Sequence, residues 1–298
     1  MNYNLENKTI LITGANSGIG KAAAVQLAAM GATVVLACRS CERGEQALHD
    51  VRTNANSQKV ELMQVDLSSQ ASIRAFAAEF QARHSHLDVL IHNAANFDQS
   101  LKTPVLTGDG VETIFATNHV GVFLLTHLLL ETLKASAPSR ILTVASKGLS
   151  VYPFLDIEFD NLNGQRNFSP QHAYYHSKLA QILFTYDLAE RLRGTGVTVN
   201  CVRVTNVAVA DERLTGLDPW VRRLYEIKRR MSIRPERQAQ TYVYLAADPA
   251  VQEITGAYWD ENNQQVRSSP KSYNRETWKR LWDETERLAG LKGQSPAA

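Results

Sequence analysis

The chain has 298 residues, 44% hydrophobic and 21% charged, a balance that buries a full core and excludes both disorder and a collagen-like repeat. Thirty-two Lys and Arg against thirty Asp and Glu leave a net charge of +2, which provides no global field for gripping a nucleic-acid backbone. Three cysteines are too few for a disulfide framework.

From residue 8 to about residue 260, short β-branched runs alternate with longer helix-period segments. This is the pattern of an α/β fold built on a doubly wound parallel sheet with helices on both faces. Strands are expected at 9–12, 33–37, 60–65, 89–91, 141–144 and 198–202, with a last one near Tyr258, so six or seven in all. Most are continuous apolar runs, as strands buried on both faces should be. Helices are expected at 20–30, 72–83 and 111–133, and from Pro170 to about Arg193 with Ser169 as its cap. No linker rich in Pro, Gly and Ser divides the chain, so residues 1–298 read as one domain.

Two segments interrupt the alternation. One, 204–237, is long and charged; the other is a tail, 261–298, with a helix over 275–288. In that helix Trp278, Leu281, Trp282 and Leu288 recur at near-helical spacing, which predicts packing against the body. The most apolar stretch, 120–130, is about half of the roughly 20 residues that cross a bilayer and is interrupted by His127, so no spanning helix is expected. The opening MNYNLENKTILITG has no export signal. A cytoplasmic protein is the expectation.

Cys38 and Cys41 form a CxxC, yet they follow an apolar strand-like run, whereas thioredoxin-like chemistry needs the pair at a helix start. His172 and His176 are spaced to share a helix face, but two nitrogens alone are a poor metal site, and none is expected. The stronger signal is Thr13-Gly14-Ala15-Asn16-Ser17-Gly18-Ile19-Gly20, standing between the first strand and an Ala-rich helix. Glycines there let the backbone turn tightly and approach a pyrophosphate seated on the helix amino terminus. The second strand ends in Arg39-Ser40 with no carboxylate. A guanidinium and a hydroxyl suit the 2′-phosphate of NADP better than the free ribose of NAD. Tyr174 and Lys178 lie one helical turn apart, with Ser146 at the end of the fifth strand. An ammonium beside the phenol favours phenolate and is expected to bring its pKa down toward the working pH of acid–base catalysis.

Together these motifs resemble the short-chain dehydrogenase/reductase family over nearly the whole chain. TGANSGIG is similar to the family's TGxxxGIG, Asp66-Leu67 to its adenine-contacting pair and Asn93-Ala94-Ala95 to its NAG-type motif. Asn118, Ser146, Tyr174 and Lys178 resemble its catalytic tetrad. FATNHVGVFLLTHLLL, AYYHSKLAQILFTYDLA and the tail GAYW…RLWDETERLAGL resemble the retinol dehydrogenase and protochlorophyllide reductase branch. The resemblance implies a Rossmann fold and NADP(H), in agreement with Arg39. It implies that Tyr174 moves the proton, Ser146 bonds the substrate oxygen, and Lys178 holds the nicotinamide ribose and acidifies Tyr174. Asn118 is implied to anchor a proton-relay water through a distorted helix. Cofactor contacts carried over in the same way are Gly14, Asn16, Ser17, Gly18, Ile19, Gly20, Arg39, Ser40, Asp66, Leu67, Asn93, Ala94, Ala95, Tyr174, Lys178 and Val207.

The chain departs from the family after the sixth strand, where a Pro-Gly pair and a later Thr are usual; Val204, Thr205 and Val209 stand there. Ala95 replaces a common Gly. Residues 220–237 hold seven Arg and Lys against Glu226 and Glu236, with Trp220, Leu224, Ile227 and Met231 at helical spacing. The resemblance makes this segment a substrate lid, and its amphipathic character suits a lipophilic, even anionic, substrate or a peripheral membrane contact. The expected reaction is NADP-dependent hydride transfer at a carbonyl or alcohol of a mostly apolar small molecule. Reduction of a conjugated carbon–carbon bond and a non-catalytic NADP-binding scaffold or sensor are the alternatives. Family members pair through the helices carrying Asn118 and Tyr174, so the resemblance allows a homodimer.

Overall fold

The computed structural model describes residues 3–207 and 232–291. Seven strands, β1 (Thr9–Thr13), β2 (Thr33–Cys38), β3 (Val60–Gln64), β4 (Val89–His92), β5 (Ser139–Ser146), β6 (Val197–Val204) and β7 (Tyr258–Trp259), form one sheet. Their order is β3-β2-β1-β4-β5-β6-β7, and every pairing is parallel. The chain winds outward from β1 to β3, then returns to build β4 to β7 on the other side. The reversal leaves a crevice above the carboxyl ends of β1 and β4, where doubly wound sheets bind ligands.

Helices α1 (Gly18–Ala29), α2 (Cys41–Ala55), α3 (Gln70–Arg83), α4 (Thr113–Ala135), α5 (Pro170–Arg191), α6 (Pro235–Ala247) and α7 (Arg275–Leu288) cover both faces. Successive strand residues point to opposite faces, so β1 divides its side chains between two cores. Ile10 and Ile12 join α1, α2 and α6, while Leu11 joins α3, α4, α5 and α7. Serine caps open α3 and α5, with Ser69 Oγ accepting from the Ser72 amide at 3.3 Å and Ser169 Oγ from the His172 amide at 3.1 Å.

The helix expected over 111–133 is present as Thr113–Ala135; its 23 residues are long and apolar enough by length and composition to cross a membrane, where no spanning helix was expected. Of its most apolar window, 72% is buried inside the protein, as in a core helix. Helix α6 opens at Pro235, inside the segment 204–237 expected as a lid. Most of that segment, including the helix expected from Trp220 onward and Val209, lies outside the described residues.

The tail packs as its periodicity predicts. Trp282 lies edge-on to Phe123 of α4, ring centroids 4.8 Å apart, and the Arg191 guanidinium of α5 covers its other side at 3.8 Å. On the neighbouring turns Trp278 and Leu281 are buried. Gln70 and Arg74 of α3 donate to the carbonyls of Leu288 and Ala289, closing the last turn.

Helix α4 passes so near the loop after β3 that a methyl on Gly121 would lie 2.1 Å from the Leu67 carbonyl oxygen. Gly121→Ala is therefore expected to lower unfolding free energy by about 3 kcal/mol. Gly108→Ala, at a glycine with open space around it, should shift it by no more than about 0.5 kcal/mol. Urea denaturation of the two variants checks both values.

Candidate active site

The glycine turn fills the gap between β1 and α1. Gly18 has φ +57 and open space where a side chain would stand, and α1 carries no acidic residue in its first turn. An unneutralised helix amino terminus of this kind attracts phosphate. Gly20 serves packing instead, since a methyl there would lie 2.4 Å from Asn93 Nδ2. Asn93, just past β4, donates that amide to the carbonyls of Thr13 at 3.0 Å and Gly14 at 3.2 Å, and accepts from the Tyr242 hydroxyl at 3.3 Å. The Ala94 amide donates to Thr13 Oγ1 at 3.1 Å. Asn16, Ser17 and Ile19 are half-buried along the turn, and Ala95 is exposed, so its methyl is accommodated.

At the end of β2, Arg39 is exposed and Ser40 caps α2 by accepting from the Arg43 amide at 3.3 Å. Arg43, a second exposed guanidinium one turn into α2, was not anticipated. Asp66 Oδ1 accepts from the amide of Ser68 at 2.9 Å and its hydroxyl at 2.7 Å, shaping the turn that buries Leu67. Cys38 is buried against the glycine turn, which pushes its thiol up to about 11, while Cys41 is exposed at the first position of α2.

Tyr174, Lys178 and Ser146 converge at the carboxyl end of β5. Ser146 lies beside the Tyr174 phenol, and Phe97 stacks on the Tyr174 ring with centroids 4.2 Å apart. The expected acidification is reversed here. Burial pushes the phenol up to about 12, and Ser146 works against it. The Lys178 ammonium, 5.6 Å from the ring centroid, donates instead to the Val144 carbonyl at 2.8 Å. Its own burial brings it down to about 8, so it is a weakened cation beside a desolvated phenol. Desolvation outweighs the charge that spacing alone suggests.

Asn118 sits in a π-helical turn, Ala116–Val120, interrupting α4. This is the distorted helix the resemblance implies. Its side chain accepts from the Asn96 amide at 2.6 Å and donates to the Asn96 carbonyl at 2.9 Å and to Ser177 Oγ at 3.0 Å. Its backbone carbonyl receives Gln181 Nε2 at 2.6 Å. Here Asn118 fixes the loop after β4.

The loop after β6, where the family pattern is broken, has its own support. The Thr205 amide donates to Oε1 of the fully buried Gln238 at 3.2 Å, the Ile233 amide to the Asn206 carbonyl at 2.9 Å, and Val207 bridges to Ile233. Gln238 was not anticipated, although Pro235 one turn earlier marks the helix start that delivers it. His172 and His176 stack on each other; the first pairs with Glu158 and the second accepts the Glu158 amide. They tie α5 to the preceding loop.

Residues 8–155 match the short chain dehydrogenase family. Over almost their full lengths the chain is 38% identical to human (Homo sapiens) retinol dehydrogenase 14, covering 96% of this chain and 88% of that one. It is 40% identical to mouse (Mus musculus) retinol dehydrogenase 11, covering 97% and 89%. The chain belongs to the short-chain dehydrogenase family, in its retinol dehydrogenase branch. This short-chain dehydrogenase has the fold of an uncharacterised protein from Mycobacterium paratuberculosis, with TM-score 0.70, 28% identity and coverage of 95% and 94%. A short chain dehydrogenase from Shigella flexneri 2a str. 301, solved in complex with NADP, shares the fold at TM-score 0.67 and 23% identity, covering 88% of this chain and all of that one.

Because Asn118 holds both backbone groups of Asn96, Asn118→Ala should raise the hydrogen-exchange rate of the Asn96 amide by about tenfold. Amide exchange followed by NMR, with the β1 and β4 amides as unchanged references, checks this.

Proposed function

We propose that this short-chain dehydrogenase carries out NADP(H)-dependent hydride transfer between the cofactor and a carbonyl or alcohol of a mostly apolar small molecule. The observation that carries the reading is the Tyr174 phenol, beside Ser146 and stacked on Phe97, at the same sheet edge as the glycine turn. When bound, NADP(H) would supply or accept the hydride.

The residues present suit that group. The amino end of α1 with Gly18 would hold the pyrophosphate, and Arg39, Ser40 and the neighbouring Arg43 the 2′-phosphate. The NADP and NADPH complexes of fold neighbours from Shigella flexneri and Escherichia coli agree with this choice. Asp66 and Leu67 would flank the adenine, Asn93, Ala94 and Ala95 would line the floor of the crevice, and Val207 would lie toward the nicotinamide. Lys178, tethered to the Val144 carbonyl, would hold the nicotinamide ribose.

Tyr174 acts as the acid in reduction. Burial keeps its proton in place through the neutral range, which suits donation to a carbonyl oxygen that gains charge as hydride arrives. Ser146 orients that oxygen, and Asn118 keeps the Asn96–Phe97 segment in place against the phenol. The half-exposed Phe97 and the exposed Val151 and Phe154 after β5 give the site an apolar approach. A lipophilic alcohol or aldehyde fits it, in line with relatives named retinol dehydrogenases.

Tyr174→Phe is expected to lower kcat for carbonyl reduction about a thousandfold while NADPH binding, followed by fluorescence titration, stays as in the wild type. Turnover near the wild-type rate, or saturation of an enone with its carbonyl intact, would contradict the reading. Arg39→Asp should lower the ratio of kcat/KM with NADPH to that with NADH about a hundredfold, and steady-state kinetics with both cofactors measures it.

A further inference from the structure

A line of buried polar side chains runs from the tail helix to the π-turn of α4. Thr285 on α7, His119 and Asn118 on α4, and Gln181 on α5 are each 1% exposed, so water cannot exchange their donors and acceptors. The line has a direction that its first member imposes. The Thr285 hydroxyl donates to the Leu281 carbonyl at 2.6 Å, so its oxygen is an acceptor toward His119 Nε2 at 2.9 Å. The imidazole proton therefore lies on Nε2, and Nδ1 is left as an acceptor. It faces Gln181 Nε2 at 3.4 Å, and the same amide nitrogen donates to the Asn118 carbonyl at 2.6 Å. Gln181 Oε1 is buried without a partner among the described residues, which marks the amide as turned toward donation at some cost.

We propose that Thr285 is a positioning residue for the acid–base site: its hydroxyl sets the direction of a buried hydrogen-bond chain that runs through His119 and Gln181 and ends on the Asn118 carbonyl. The inference rests on the proposed reaction only in linking this chain to turnover.

The chemistry follows from what each partner can do without that hydroxyl. A neutral imidazole with nothing to receive Nε2–H moves its proton to Nδ1. An Nδ1–H cannot face an amide N–H, so the Gln181 amide turns over and offers Oε1. The Asn118 carbonyl then loses its donor and faces an oxygen. Its peptide shifts, and the shift has a short route to the phenol: the Asn118 side chain holds both backbone groups of Asn96, and the next residue, Phe97, stacks on Tyr174. The tail thus acts on the site through hydrogen-bond polarity as well as through its apolar face.

The test is Thr285→Val, which keeps the shape and removes the acceptor, with Thr285→Ser as rescue. In protein with 15N-labelled histidine, the His119 nitrogens should report Nε2–H in the wild type and in Thr285→Ser, and Nδ1–H in Thr285→Val. In parallel, kcat for carbonyl reduction should fall about tenfold in Thr285→Val with NADPH affinity unchanged, and return in Thr285→Ser. Gln181→Leu leaves the tail untouched and should give the same loss of kcat, so the inference stays open to refutation even if the valine variant folds poorly. Retention of Nε2–H in Thr285→Val, or wild-type kcat in a folded Gln181→Leu protein, overturns it. If the wild type reduced no carbonyl at all, the proposed reaction would fall, and the imidazole signals would still decide the hydrogen-bond chain.

Discussion

The geometry of the crevice depends on one side-chain amide. Asn93 Nδ2 bridges the carbonyls of Thr13 and Gly14, stitching the end of β4 to the turn that leaves β1. These two strands are where the winding of the sheet reverses. The clasp also explains the glycine at position 20, whose missing methyl leaves room for Asn93 Nδ2. Tyr242 then ties the same asparagine to α6 from below. Strand, turn and helix are thereby held in one arrangement, and the amino end of α1 stays open toward the crevice.

Around this cradle the protein encloses polar groups. Tyr174, Lys178 and His119 are all displaced from their ordinary titration ranges by burial, toward the neutral form in each case. That common direction matters more than any single pair. Where groups are pushed toward neutrality, hydrogen bonds position the protons, with Val144 on the Lys178 ammonium and Thr285 on the imidazole. Low local polarity strengthens each of these bonds and raises the cost of leaving one unmade.

Much of this was legible in the chain. The strands stand out because residues buried on both faces make uninterrupted apolar runs, and the tail helix is bounded as its spacing of Trp278, Leu281, Trp282 and Leu288 predicts. The glycine turn and the Tyr174–Lys178 pair were legible because their residues are neighbours in sequence. What escaped depends on residues far apart. The length of α4 was legible, but its apolar character was read from 120–130 alone, because Thr113, Thr117, Asn118 and His119 carry polar side chains that are bonded to other groups of the protein. The state of the Tyr174 phenol is set by enclosure, with Phe97 and Tyr242 brought in from other elements, and no helical spacing encodes that. Gln238 went unnoticed for the same reason, because its partner, the Thr205 amide, lies 33 positions away.

The seating of Trp282 between Phe123 and Arg191 has a further consequence. The outer surface of α4 and α5 is covered by a segment of the same polypeptide, so the cover meets its face at an effective concentration set by the tether rather than by the amount of protein in solution. The cover over Asn118 and His119 is therefore held in place by the chain itself.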